Sequence, residues 1–143
     1  MKIAFDVHGV LDSLAEYRDL MRSLYQAGHT IYIMSGQPLD NNMRALLKKH
    51  DIWFYHHYRS VETYLLEQGE HEYKDTPKGK FWPDTIWDPV KAQMCDEENI
   101  DMIFDNSPAY AGTFKNVKTQ FNLVVDKTRN LSDRHATSDW FDR

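Results

Sequence analysis

Lys2-Ile3-Ala4-Phe5-Asp6-Val7-His8-Gly9-Val10-Leu11 opens on a short apolar run that ends in an acid and a glycine turn. Lys2 to Val7 reads as a buried strand. Working outward, Ser13 to Ala27 carries Leu14, Tyr17, Leu20, Met21, Leu24 and Tyr25 at the i, i+3, i+4, i+7 spacing of an amphipathic helix. Gly28 stops it. Thr30 to Met34 is a second strand. Pro38 opens the next helix, with Met43, Leu46 and Leu47 inward. Ile52 to Tyr55 is a third strand.

Residues 56–83 are less regular and read as a small insert or lid. Val61, Tyr64 and Leu65 mark a short helix there, and Gly69 to Pro83 reads as loop. Asp88 then reads as an N-cap, with Pro89 at the first position of a helix that carries Lys91. Met102 to Phe104 is a fourth strand that ends at Asp105. Ala109 to Val117 is helical, and Gln120 to Val125 is a fifth strand. Residues 126–143 form a polar C-terminal tail, with Trp140 and Phe141 as docking anchors.

Strands separated by helices make βαβ units and a parallel sheet. The expected fold is α/β: a three-layer, doubly wound, five-stranded parallel sheet in one domain. Ligands of such sheets bind at the carboxyl ends of the strands. Asp6, His8 and Gly9 follow the first strand, Ser35 and Gly36 the second, and Asp105 and Asn106 the fourth. Lys91 lies at a helix start just before the fourth. All of them gather on one edge.

The composition narrows the class. The chain has 143 residues, 17 Lys and Arg against 22 Asp and Glu, a net charge of -5 and one cysteine, Cys95. A chain of this size buries roughly 70% of the surface its unfolded form exposes. One cysteine excludes a disulfide scaffold. No apolar run approaches the roughly 20 residues that cross a bilayer, and the first residues do not read as a signal peptide. The expected setting is cytoplasmic, with no membrane contact and no obligate protein partner. The acidic balance argues against a nonspecific nucleic-acid coat. His50, His56, His57, His71 and His135 have no zinc-ligand spacing.

Asp6 and Asp105 on neighbouring strand ends suit Mg²⁺, which takes one or two carboxylates plus water and substrate phosphate. Lys91 at a helix N-terminus suits a phosphate, through its charge, nearby N–H groups and the helix dipole. Ser35 adds a hydroxyl. A carboxylate, a metal, a hydroxyl and a lysine together can transfer a phosphoryl group to an aspartate.

Phe5-Asp6-Val7-His8-Gly9-Val10-Leu11 resembles the first motif of the haloacid dehalogenase (HAD) superfamily, Asp-x-Asp-Gly-Thr/Val-Leu. Ile31 to Gly36 resembles the second motif, Lys91 the third, and Ile103-Phe104-Asp105-Asn106 the fourth. The four occur in order over residues 2 to about 125. Within the superfamily, the Asp88-Pro89-Val90-Lys91 entry and the short connections are more loosely similar to the phosphatase domain of phage-type polynucleotide kinases.

The resemblance implies a sheet of order 5-4-1-2-3 and a set of roles. Asp6 would be the nucleophile. Asp6, the His8 backbone carbonyl and Asp105 would hold Mg²⁺. Gly9, Ser35, Gly36 and Lys91 would bind the phosphoryl group. His8 stands where the family has a second aspartate, the acid and base for leaving group and water. An imidazole can do both near neutrality. Mg²⁺ and Lys91 are expected to push its pKa down and make it the better base. Asn106, in place of a common acid, is expected to support the site from outside the metal's own ligands.

The leading expectation is a Mg²⁺-dependent phosphatase. Leu11 runs straight into a helix, which leaves no room for a large cap, and capless relatives act on nucleotides, nucleic-acid ends or phosphoproteins. Arg59, Lys74, Lys78 and Lys80 would form a basic rim. The alternative is a weakly active or inactive binding or regulatory module of the same fold, motivated by His8 and Asn106.

Overall fold

The computed structural model of the chain describes residues 1–127. The element order is β1 (Lys2–Phe5), α1 (Ala15–Gln26), β2 (Thr30–Ser35), α2 (Asn41–Lys49), β3 (His57–Ser60), α3 (Val61–Glu67), β4 (Lys74–Thr76), β5 (Gly79–Phe81), α4 (Asp84–Trp87), α5 (Val90–Glu97), β6 (Met102–Asp105), α6 (Pro108–Ala111) and β7 (Gln120–Leu123). Trp140, Phe141, His135 and most of the expected tail lie outside the described residues.

Five strands form one parallel sheet in the order β3-β2-β1-β6-β7. The alternation of side chains sorts the core into two layers. Ile3, Phe5, Ile31 and Ile33 face α1 and α2, where they meet Met21, Met43 and Leu47. Ala4, Tyr32, Met34 and Ile103 face the other way, toward Val61, Leu65, Met94 and Cys95 of α3 and α5. Helices therefore cover both faces, and the chain is an α/β three-layer domain. Among the described residues no helix is long and apolar enough to cross a membrane.

The third strand differs from the sequence expectation. β3 is His57–Ser60, whereas Ile52–Tyr55 has no ladder partner. Ile52 and Phe54 are buried as a plug beneath α2, and the Tyr55 N–H bends back to the Trp53 carbonyl at 3.0 Å. Hydrogen bonding to β2 starts only at His56, whose N–H donates to Ile31 O at 2.8 Å. An edge strand has one unpaired side and tolerates the polar sequence His-Tyr-Arg-Ser.

Helix boundaries also shift. Asp40, not Pro38, caps α2, accepting from Met43 N at 2.8 Å. Asp88 is not an N-cap: Asp84–Trp87 is already helical, so Asp88 keeps helical angles and α5 begins at Val90 behind Pro89. Residues 74–81, expected as loop, form a small antiparallel hairpin. The expected 109–117 helix is α6 followed by a 3-10 turn at Gly112–Phe114. Leu20, expected inward, is 37% exposed at the rim of α1. α1 ends as predicted before Gly28, whose φ of 94° carries the backbone out of the helix.

Candidate active site

The register brings the sequence-derived residues to one edge. Phe5 pairs with Ile33 and with Phe104, so Asp6, Ser35 and Asp105 follow at the carboxyl ends of three strands. Asp6 N donates to Phe104 O at 2.9 Å, which fixes the first acid beside the second. Lys91, in the first turn of α5, reaches both acids.

Lys91 Nζ donates to Asp105 Oδ2 at 2.6 Å and to Asp6 Oδ1 at 3.0 Å. The three residues are nearly sealed: relative exposures are 2% for Lys91, 4% for Asp6 and 0% for Asp105. Burial on its own lowers the Lys91 pKa, but the carboxylates of Asp105 and Asp6 overcome it and hold the pKa above its usual value. The ammonium also lies 5.4 Å from the Tyr110 ring centroid, and Trp87 Nε1 donates to the Tyr110 hydroxyl at 2.9 Å. Burial and the nearby Asp105 push the Asp6 carboxyl up to about 7, against the pull of Lys91 and His8. When Asp6 is ionised, two carboxylates and one ammonium leave a net negative charge in a dry place, which favours a further cation.

The turn after β1 supplies the rest. Gly9 has a φ of 82°, and a Cβ there would come within 1.9 Å of the Asn106 side-chain nitrogen. Only glycine admits both the angle and the close approach. One terminal atom of the Asn106 carboxamide lies 3.0 Å from Asp6 Oδ2 and 3.1 Å from His8 O. Assigned as nitrogen, it donates to both oxygens. Asp6 and the His8 carbonyl are oxygens that could hold Mg²⁺, with the Asn106 amide steadying both. Asp105 has both oxygens engaged within the chain, by Lys91 and by Ser107 N at 2.9 Å. Among the described residues no group of three or more His, Cys, Asp or Glu side chains is arranged to hold a metal.

The His8 side chain is held at both nitrogens. Nδ1 lies 3.1 Å from Asp12 Oδ2, and Nε2 lies 3.0 Å from Gln37 Oε1. Gln37 is oriented by its own amide nitrogen, which donates to Asp40 Oδ1 at 3.0 Å. Both His8 partners are therefore acceptors, and both ring nitrogens carry protons. Burial would lower the His8 pKa, but the hydrogen bonds to Asp12 and Gln37 and the charge of Asp6 raise it to about 9. This is opposite to the expected direction. The reason is Asp12, a carboxylate four residues on, which Gly9 N and Ser13 Oγ also hold in place at 2.8 and 2.6 Å.

Ser35 is fully buried, and its hydroxyl accepts from Gln37 N at 3.2 Å. Gly36 is buried behind it. Two of the four residues of the expected basic rim are paired within the chain: Arg59 contacts Glu98 at 2.9 Å, and Lys80 contacts Asp75 at 3.6 Å. Asp12, Gln37, Asp40 and Tyr110 were not singled out by the sequence. Asp12 alone carried a signal, its i, i+4 spacing from His8.

No protein-family model matches the chain, and no curated protein matches it. A crystal structure of an uncharacterized protein from Corynebacterium glutamicum is similar in fold, with a TM-score of 0.51 and 14% identity over 94% of this chain and 92% of that one. That likeness concerns the fold alone.

Proposed function

We propose that the protein is a Mg²⁺-dependent phosphatase of the haloacid dehalogenase type, with Asp6 as nucleophile. The observation that carries this reading is Lys91 Nζ bridging Asp6 and Asp105, with the Asn106 amide donating to Asp6 Oδ2 and the His8 carbonyl. The five-stranded parallel sheet with helices on both faces is compatible with this reading. Mg²⁺, when bound, would draw charge from the phosphoryl oxygens and hold Asp6 ionised.

Asp6 Oδ1 attacks phosphorus, and the bond to the leaving oxygen breaks. The His8 imidazolium gives that oxygen a proton. Neutral His8 then takes a proton from water, whose oxygen attacks the aspartyl-phosphate and frees Asp6 and phosphate. Lys91 offsets the charge on Asp6 and the phosphoryl group throughout. Ser35, Gly36 and Gly9 would border the bound phosphoryl group. Only three residues separate Leu11 from α1, so no cap is inserted there. This favours large or exposed substrates such as a nucleotide, a nucleic-acid end or a phosphoprotein over small metabolites.

One observation favours a second reading, a binding module of the same fold with little catalysis. Both His8 nitrogens already have partners, so proton transfer to substrate requires His8 to leave Gln37 or Asp12. Hydrolysis of p-nitrophenyl phosphate with and without Mg²⁺ separates the two. The phosphatase reading expects Mg²⁺-dependent turnover that Asp6→Asn abolishes. Equal background rates for wild type and Asp6→Asn select the binding module.

A further inference from the structure

Away from Asp6, the outer face of the α1/α2 layer collects positive charge. Arg18 and Arg22 lie one turn apart on α1. Arg44 and Lys48 lie one turn apart on α2, with Lys49 beside them. The ion pairs among the described residues involve none of these five. Between the two helices stands Trp53, 50% exposed in a chain that buries Trp82 and Trp87. The Arg22 guanidinium lies 5.4 Å from the Trp53 ring centroid, and Tyr25 meets the ring edge-on at 5.7 Å. A cavity of about 330 Å³ opens beside the indole, lined by Arg44, Leu47, Lys48, Asp51, Trp53 and Tyr55. His50 reports the local potential: burial first, then Arg18 and Lys49, push its pKa down, with Asp12 acting the other way.

We propose that this face binds single-stranded nucleic acid, with a base stacked at Trp53 and phosphates on Arg22, Arg44 and Lys48. Cations alone would serve any polyanion. The half-exposed indole between them decides for a nucleic acid, because every base offers a face to stack, while the carboxylates of an acidic peptide leave the ring unused. The chain's net charge of -5 is no obstacle at short range, since the surrounding acids are screened beyond about 8 Å at physiological salt. It does predict weak, salt-sensitive binding. None of these residues belongs to the Asp6 site, so the surface stands whether or not the protein is a phosphatase.

The test is fluorescence anisotropy of a short labelled oligothymidylate titrated with the full chain at several salt concentrations. Three phosphate contacts predict a slope of log K against log salt near about -2. Trp53→Ala should weaken binding about tenfold with that slope kept. Arg44→Ser with Lys48→Ser should cut the slope by more than half. Circular dichroism and thermal melting verify that both variants fold, and Asp6→Asn should bind like wild type. Absence of binding at low salt overturns the proposal. So does equal competition by poly-glutamate with an unchanged affinity for Trp53→Ala, which would mark an acidic-polypeptide surface.

Discussion

Lys91→Met removes the ammonium from between Asp6 and Asp105 and keeps the length of the side chain. Two carboxylates then face each other in a site that is 4% and 0% exposed. Solvent cannot screen them. Deleting one partner of such a buried cluster costs about 3–5 kcal/mol, a large part of the roughly 5–15 kcal/mol that holds a domain folded. The cost depends on pH, because the variant can relieve repulsion by sharing one proton between the acids. Urea unfolding of wild type and Lys91→Met, without metal, measures it. At pH about 8 the variant should lose about 3–5 kcal/mol; at pH about 5 the loss should shrink by at least ~1 kcal/mol, since one carboxyl is then protonated. A loss below ~1 kcal/mol that is equal at both pH values would refute the reasoning, for it would mean that the lysine is not the counter-charge of the site.

The remaining predictions concern the same cluster. Asp6 titrates near 3.8 in the unfolded chain and near 7 in the fold, so the fold binds its proton more tightly and loses stability as pH rises across that window. Mg²⁺ should therefore raise Tm more at pH about 7.5 than at pH about 5; a pH-independent increment counts against a cation beside Asp6. His8 is held near 9, above its usual 6.5, so its stabilising charge is complete below 6.5 and is lost as pH rises through about 9. If the imidazolium protonates the leaving group, kcat should fall over the same alkaline limb, and Asp12→Asn should move that limb to lower pH; a limb that stays put removes His8 from the role. Gly9→Ala should expel Asn106 from its position by Asp6 and weaken Mg²⁺ about 10- to 100-fold, as read by isothermal calorimetry; unchanged affinity would mean that Asn106 does not steady the oxygens that hold the metal.

Much of the fold could be read from the chain because the central strands are apolar on both faces and the helices between them are amphipathic. The failure at Ile52–Tyr55 has a physical cause. A plug and a strand share the alternation of buried Ile52 and Phe54 with exposed Trp53, whereas the true edge strand, His57–Ser60, needs few apolar residues. The acids and the lysine of the site were legible because the topology sends strand ends and the start of α5 to one edge. The supports were not. Asp12 beside Ser13 looks like a helix start, Gln37 before Pro38 looks like a turn, and nothing local announces that both close on the His8 ring. The direction of the His8 pKa depended on those two contacts. The position of Asn106 depended on Gly9, whose missing side chain lets it approach.

Covalent capture of the phosphoryl group tests the central claim most directly. Wild type mixed with a phosphomonoester and Mg²⁺, acid-quenched within a turnover and digested, should yield an N-terminal peptide heavier by one phosphoryl group, with the label on Asp6 and released by hydroxylamine. Asp6→Asn should yield none. Turnover of the same substrate with no labelled Asp6, or with the label on another residue, would contradict the account.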